Sequence, residues 1–191
     1  MVVTTPDDAR SRIVHATLHL VGTDGVAGVT NRRIAARAGV SLGSITYHFP
    51  TQADLLRAAL ESFVDEETER LHELAEHYRS PALSLSEAAE LTERIARDLT
   101  FTAERIAPFD LYVQAGRDVA LRRVAERCWN AYDALAASVL SALGVRHPEA
   151  LAPTIVATIT GLQLRRLSTG TETNLSESVL LLLHAAAAEQ P

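Results

Sequence analysis

Between Thr30 and Pro50 the chain reads TNRRIAARAGVSLGSITYHFP, two short helical runs separated only by Gly39-Val40-Ser41. Helices of about eight and seven residues joined by so short a turn must cross steeply and share one small core, which specifies a helix-turn-helix. Thr30 is placed to cap a helix over Asn31 to Ala38, and Ser41 to cap another over Leu42 to His48. Ile34, Ala38, Val40 and Ile45 supply the shared core, Ala35 is small where the helices approach, and Gly39 allows the positive φ the turn demands.

The rest of the chain is equally helical in pattern, and nowhere do four or more β-branched or aromatic residues alternate with polar ones as a strand requires. Capping boxes mark helix starts at Thr5 with Asp8, Thr51 with Asp54, Ser84 with Glu87 and Asn174 with Glu177. A first helix with Pro6 at its first position is expected to run to about Val21. A long helix from Thr51 to Tyr78 buries Leu55, Ala59 and Phe63, then becomes strongly charged. Further helices fit Ser84 to Thr102, Pro108 to Ala115, Val119 to Leu143, Pro148 to Leu167 and Leu175 to Ala188, giving an all-α chain of about nine helices. Leu121, Val124, Cys128, Tyr132, Leu135, Val139 and Leu143 form one continuous apolar stripe. The last two helices are apolar nearly all round, so each is either central to the core or covered by a second subunit; the subunit interface is the reading adopted.

Composition excludes several classes. With 191 residues, 47% of them hydrophobic, the chain is globular and long enough to bury roughly 70% of its unfolded surface without staples. Cys128 is its only cysteine, so neither an internal disulfide nor a thiolate zinc site is available. The run Val179 to Ala188, interrupted by His184, falls short of the ~20 residues of a membrane span, and the acidic N-terminus has no signal-peptide pattern. A cytoplasmic protein without membrane association is expected. The net charge of −6 conceals an asymmetry: residues 1–50 carry five arginines against three aspartates, while the remainder is acidic. There is no lysine, so any cation that meets a phosphate or a base is an arginine.

On the second short helix, Leu42, Gly43, Ser44, Thr46 and Tyr47 point away from the shared core, as residues facing a major groove would. Arg32 and Arg33 stand at the start of the preceding helix, where an arginine can bind guanine bidentately or clamp a phosphate. This segment resembles the DNA-binding domain of the TetR family of transcriptional regulators. The resemblance rests on Gly25, Thr30, Ile34-Ala35, Ala38-Gly39-Val40-Ser41, Gly43, Tyr47-His48-Phe49 and Leu55-Leu56. It implies a DNA-binding domain over 1–50 and a ligand-binding, dimerising body over 51–191. It also implies base contacts from Arg32 and Ser44, a groove lining of Leu42, Gly43 and Thr46, and backbone contacts from Thr30, Asn31, Tyr47 and His48. Two positions depart from the family: Thr46 replaces a frequent tyrosine and Gln52 a usual lysine, each removing a phosphate contact, with Arg10, Arg12 and Arg33 as compensation. In the body, LYVQAGRDVALRR and Gly161 to Leu164 are similar to a type seen in some actinobacterial members.

The body holds most of the aromatics. Phe109, Tyr112, Trp129 and Tyr132, with Gln114 and with Phe101, Arg117 and Asp133 nearby, could line an apolar pocket carrying a few polar groups, or could simply be core. His48 is read as a backbone contact or packed ring, His72, His77 and the acids of Glu66 to Glu76 as a solvated face, and Cys128 as a small hydrophobe. No cofactor, metal cluster, phosphate loop or nucleophile elbow is recognisable, which argues against an enzyme. The expected function is a homodimeric repressor of a palindromic operator, released by a small, largely apolar effector. The alternative is a helical ligand-binding or scaffold protein with a weakened DNA-binding head.

Overall fold

Asp8, in extended backbone, opens the first helix: its Oδ1 accepts from the Ser11 N–H at 2.7 Å. The helix therefore starts at Ala9 rather than at the Pro6 expected from a Thr5 box, and Asp8 is the cap instead of the acid that reaches back to one. The computed structural model describes residues 8–77, 87, 103–170, 177–178 and 181. Within them lie α1 (Ala9–Asp24), a 3₁₀ turn (Val26–Gly28), α2 (Asn31–Ala38), α3 (Leu42–His48), α4 (Gln52–His77), α5 (Ala103–Ala115), α6 (Val119–Ala142) and α7 (Pro148–Thr169). There is no strand among the described residues. The helices expected over Ser84 to Thr102 and Leu175 to Ala188, the Thr5 cap and Phe101 fall outside them, apart from a few single positions.

Local chemistry accounts for the boundaries. α1 continues to Asp24, three residues past the expected stop, because Gly25 takes the positive φ of 71° and closes its N–H on the Val21 carbonyl. Thr30 and Ser41 cap α2 and α3 by accepting from Arg33 N–H at 3.4 Å and Ser44 N–H at 3.1 Å. Gly39, at φ 65° and ψ 40°, occupies the left-handed conformation that only glycine adopts without strain. Thr51 accepts from the Asp54 N–H at 3.1 Å and gives its hydroxyl to Asp54 Oδ2 at 2.6 Å, a bond that holds the Asp54 carboxyl below its ordinary value. α5 starts at Ala103, five residues before the expected Pro108, which is buried inside the helix instead of opening it. Asp118 Oδ1 receives the Ala120 and Leu121 N–H groups ahead of α6, and α7 begins at the expected Pro148 and carries Pro153 inside.

The described residues form two compact units. The first holds those up to Glu66 and those from Ala103 to Arg127; the second holds Glu67 to His77 and those from Cys128 on. In the first, α1 packs chiefly against α5 and also against α2 and α3, around the fully buried Ile13, Ile34, Ile45, Leu60, Val64 and Leu111. In the second, Leu71 and Ala75 of α4 meet Ala131 and Leu135 of α6, and farther along α6 Leu140 meets Ala152 and Ile155 of α7. α4 and α6 each contribute residues to both units.

Candidate functional site

In the first unit, α3 is held by Ile45, which is fully buried, and turns its other side outward. Tyr47 is 83% exposed and Leu42 53%, with Gly43 and Thr46 also exposed and Ser44 and His48 half-buried. Leu42 and Tyr47 thus leave two large side chains in water on the outward side of α3. The His48 ring lies edge-on to Tyr47, centroids 5.1 Å apart, and is tilted against Phe49 at 6.4 Å, so it is a packed ring.

The arginines divide into engaged and open. Arg33 bonds Asp24 Oδ2 at 2.7 Å and the Gly28 carbonyl at 2.9 Å, tying α2 to the end of α1 and to the 3₁₀ turn. With the Thr23 hydroxyl, this guanidinium holds the Asp24 carboxyl below its usual range. Arg12 Nε donates to the Ala38 carbonyl at 3.2 Å, placing a cation on the last turn of α2, and Arg10 lies 5.4 Å over the Phe49 ring. All three residues expected to compensate for missing phosphate contacts thus have work inside the head. Arg32 and Arg37 are exposed, as are Thr30 and Asn31. The two departures from the family pattern are exposed residues whose side chains bond carbonyls of the head: the Thr46 hydroxyl donates to the Gly43 carbonyl at 3.1 Å, and Gln52 Nε2 to the Val29 carbonyl at 3.2 Å.

The second unit holds an open cleft of about 490 Å3 between α6 and α7. Trp129 and Asp133 line one side, and Pro153, Val156, Ala157, Thr160, Gly161 and Leu164 the other. Of the five expected ligand residues only Trp129 lines it. Phe109, Tyr112 and Gln114 lie half-buried on α5 in the first unit. Tyr132, ring centroid 6.3 Å from that of Trp129, gives its hydroxyl to Glu67 Oε1 at 2.5 Å. Burial and the Glu67 charge push its phenol far above the ordinary range, so it stays neutral.

Glu67 corrects the expectation of a solvated face over Glu66 to Glu76. It is only 4% exposed, and Arg70 forks onto it, Nε to Oε2 at 2.9 Å and Nη2 to Oε1 at 2.7 Å. The pattern concealed this because its other partner, Tyr132, lies 65 residues away. On the cleft, Asp133 has no hydrogen-bond or ion-pair partner among the described residues, and partial burial raises its carboxyl. Gln163, also buried, has no partner for its Nε2. The signal for the cleft was the spacing of Pro153, Ala157 and Gly161, three residues with little side chain at every fourth position of α7.

Comparison with known proteins adds to this geometry. The family model for bacterial regulatory proteins of the tetR family matches residues 13–59, and that for the tetracyclin repressor-like C-terminal domain matches 79–189. The HTH-type transcriptional regulator PksA of Bacillus subtilis is 35% identical over 66 residues, covering 35% of this chain and 32% of PksA. CymR of Pseudomonas putida is 28% identical over 123 residues, 63% of this chain and 57% of its own. The chain thus spans about a third and somewhat over half of these two relatives. Among solved structures, the multidrug binding protein EbrR complexed with imidazole is 32% identical, covers 94% of both chains and superposes with a TM-score of 0.72. A TetR-family member from Streptomyces coelicolor is 31% identical with the same TM-score, covering 94% of this chain and 98% of its own. With both of its parts matched, an outward-facing α3 and an all-helical body, the chain belongs to the TetR family of bacterial regulatory proteins.

Proposed function

We propose that the protein is a cytoplasmic, non-enzymatic transcriptional repressor: a homodimer whose residues 1–50 read a palindromic operator and whose residues 51–191 dimerise and bind the releasing effector. The observation that carries this is the outward face of α3, where Leu42 and Tyr47 stand exposed beside Ser44, with Arg32 open on α2. The rival, a scaffold with a weakened head, draws on Thr46 and Gln52. Both bond only to their own head, which leaves the open face of α3 intact. A mobility-shift assay on the DNA immediately upstream of the protein's own gene tests the reading, and absence of a specific shift there favours the rival.

The effector site is the cleft beside Trp129. EbrR in complex with imidazole, ethidium and proflavin supports a small aromatic ligand. No helix of the described residues is long and apolar enough to cross a membrane, consistent with a freely diffusing regulator. By linkage, an effector that releases the operator must bind operator-bound protein more weakly by the same factor, typically ~5- to 150-fold. One continuous helix, α4, holds Gln52 in the first unit and Glu67 and Leu71 in the second, which offers a route for that coupling.

Dimerisation through the last two helices predicts that Leu181→Glu, a charge at a residue 67% exposed in the single chain, gives a monomer in light scattering at micromolar concentration. A dimer unaffected by this and by further charges along both helices would place the interface elsewhere.

A further inference from the structure

Two charged groups of the second unit stand unanswered, and they are of opposite sign. Asp133 on α6 lines the cleft with no hydrogen-bond or ion-pair partner among the described residues. Partial burial raises its carboxyl, so part of its hydration is already gone. Arg165 on α7 is exposed, and its guanidinium likewise has no partner among the described residues. Of the described arginines in this unit it is the one so placed: Arg70 is held by Glu67, and Arg146 and Arg166 have contacts of their own. Asp133 and Arg165 do not meet within the chain, although Leu164, the neighbour of Arg165, lines the cleft opposite Asp133. Successive residues of a helix point about 100° apart, so Arg165 is turned out of the cleft that Leu164 lines. A side chain that points away from its own chain across a two-fold interface meets the second copy, and every contact it makes there is made twice. The chain has no lysine, so a second copy can answer Asp133 only with an arginine or a histidine. Arg165 offers a permanent charge on the helix read as interface, beside a residue half-exposed at the cleft.

We propose that Asp133 of each subunit pairs with the partner's Arg165 across the α7 interface, two symmetric ion pairs that cover the mouths of the two clefts and select an identical chain as partner. The proposal rests on the reading of α7 as part of the dimer interface and adds to it the charges that decide which chain is accepted. The cleft beside Trp129 is then open on a single chain and completed by the second copy in the dimer. Such pairs contribute less to affinity than to choice of partner, because setting like charges together is what costs most. A related chain with the same apolar face but like charges at these two positions is refused.

Asp133→Arg and Arg165→Asp test this singly, mixed and combined, in the full-length protein. Light scattering at micromolar concentration reads dimerisation, and native mass spectrometry separates the two homodimers from the mixed dimer. Each single variant sets like charges opposite each other twice, and should raise the dimer dissociation constant on the order of tenfold or more. An equal mixture of the two should form the mixed dimer almost exclusively, since both contacts there again join opposite charges. A chain carrying both substitutions should dimerise with itself at wild-type strength and refuse the wild-type chain. Single variants that dimerise like the wild type overturn the proposal. So do single variants that weaken the dimer without recovery in the mixture, and recovery confined to the doubly substituted chain would place the pair within one subunit. A monomeric wild type refutes the interface reading itself, whereas a wild-type dimer indifferent to all of these charges refutes the pairing and leaves the interface standing.

Discussion

Arg70→Ala is expected to destabilise the second unit by about 3 kcal/mol, the low end of the range for breaking a buried ion pair, because Arg70 is itself partly exposed. The substitution removes two charge-assisted hydrogen bonds from Glu67, a carboxylate only 4% exposed, and leaves the Tyr132 hydroxyl to share its burden. Tyr132→Phe, which removes one bond and keeps the ring, should cost about 1 kcal/mol. Replacing both charges with apolar side chains of similar volume, Glu67→Leu with Arg70→Met, in the Tyr132→Phe background that leaves no hydroxyl without its acceptor, should recover most of the loss, since the desolvation of both ions disappears with their attraction. Urea unfolding followed by Trp129 fluorescence reads all three variants. An Arg70→Ala protein as stable as wild type, or a combined variant weaker than the single one, would show that the cluster does not hold α4 to α6.

Arg32→Ala should weaken specific operator binding by ~1–3 kcal/mol per half-site, so that a two-fold dimer feels the loss twice, and should relax base preference at one position of each half-site. The expectation follows from the division of labour among the arginines. Arg33 is spent on Asp24 and Gly28, and Arg12 on the end of α2, whereas Arg32 stands exposed at the start of α2. Tyr47→Ala should instead weaken operator and random DNA alike. Anisotropy titrations at several salt concentrations distinguish the roles: loss of a base contact leaves the salt dependence nearly unchanged, while loss of a phosphate contact reduces its slope by about 1. Specific binding untouched by Arg32→Ala would move base reading to another residue.

What could be read directly from the chain was what is decided within a few residues. The bounds of α2 and α3 follow from Thr30, Gly39 and Ser41, each of which closes its own hydrogen bond to a near neighbour. Pro108 misled for the same reason. Its local preference is for a helix start, and only burial of Ala107, Pro108 and Leu111 within the first unit sustains it inside α5. Glu67 looked solvated because the charges around it are, and its burial is decided by Tyr132 on another helix. The cleft escaped an inventory of aromatics because its shape comes from missing side chains: Gly161, Ala157 and Pro153 make the hollow that Trp129 only borders.

The packing of α1 against α5 also orders events during synthesis. The face of α1 carrying Ile13, Val14 and Leu20 belongs to a core completed by a helix that begins only at Ala103. At ~5–20 residues per second, the ribosome needs on the order of 10 s between releasing the two. In that interval the emerging head has its turn and caps but lacks part of its own interior, so a chain halted before α5 should be a target for chaperones and proteases despite having its whole recognition helix.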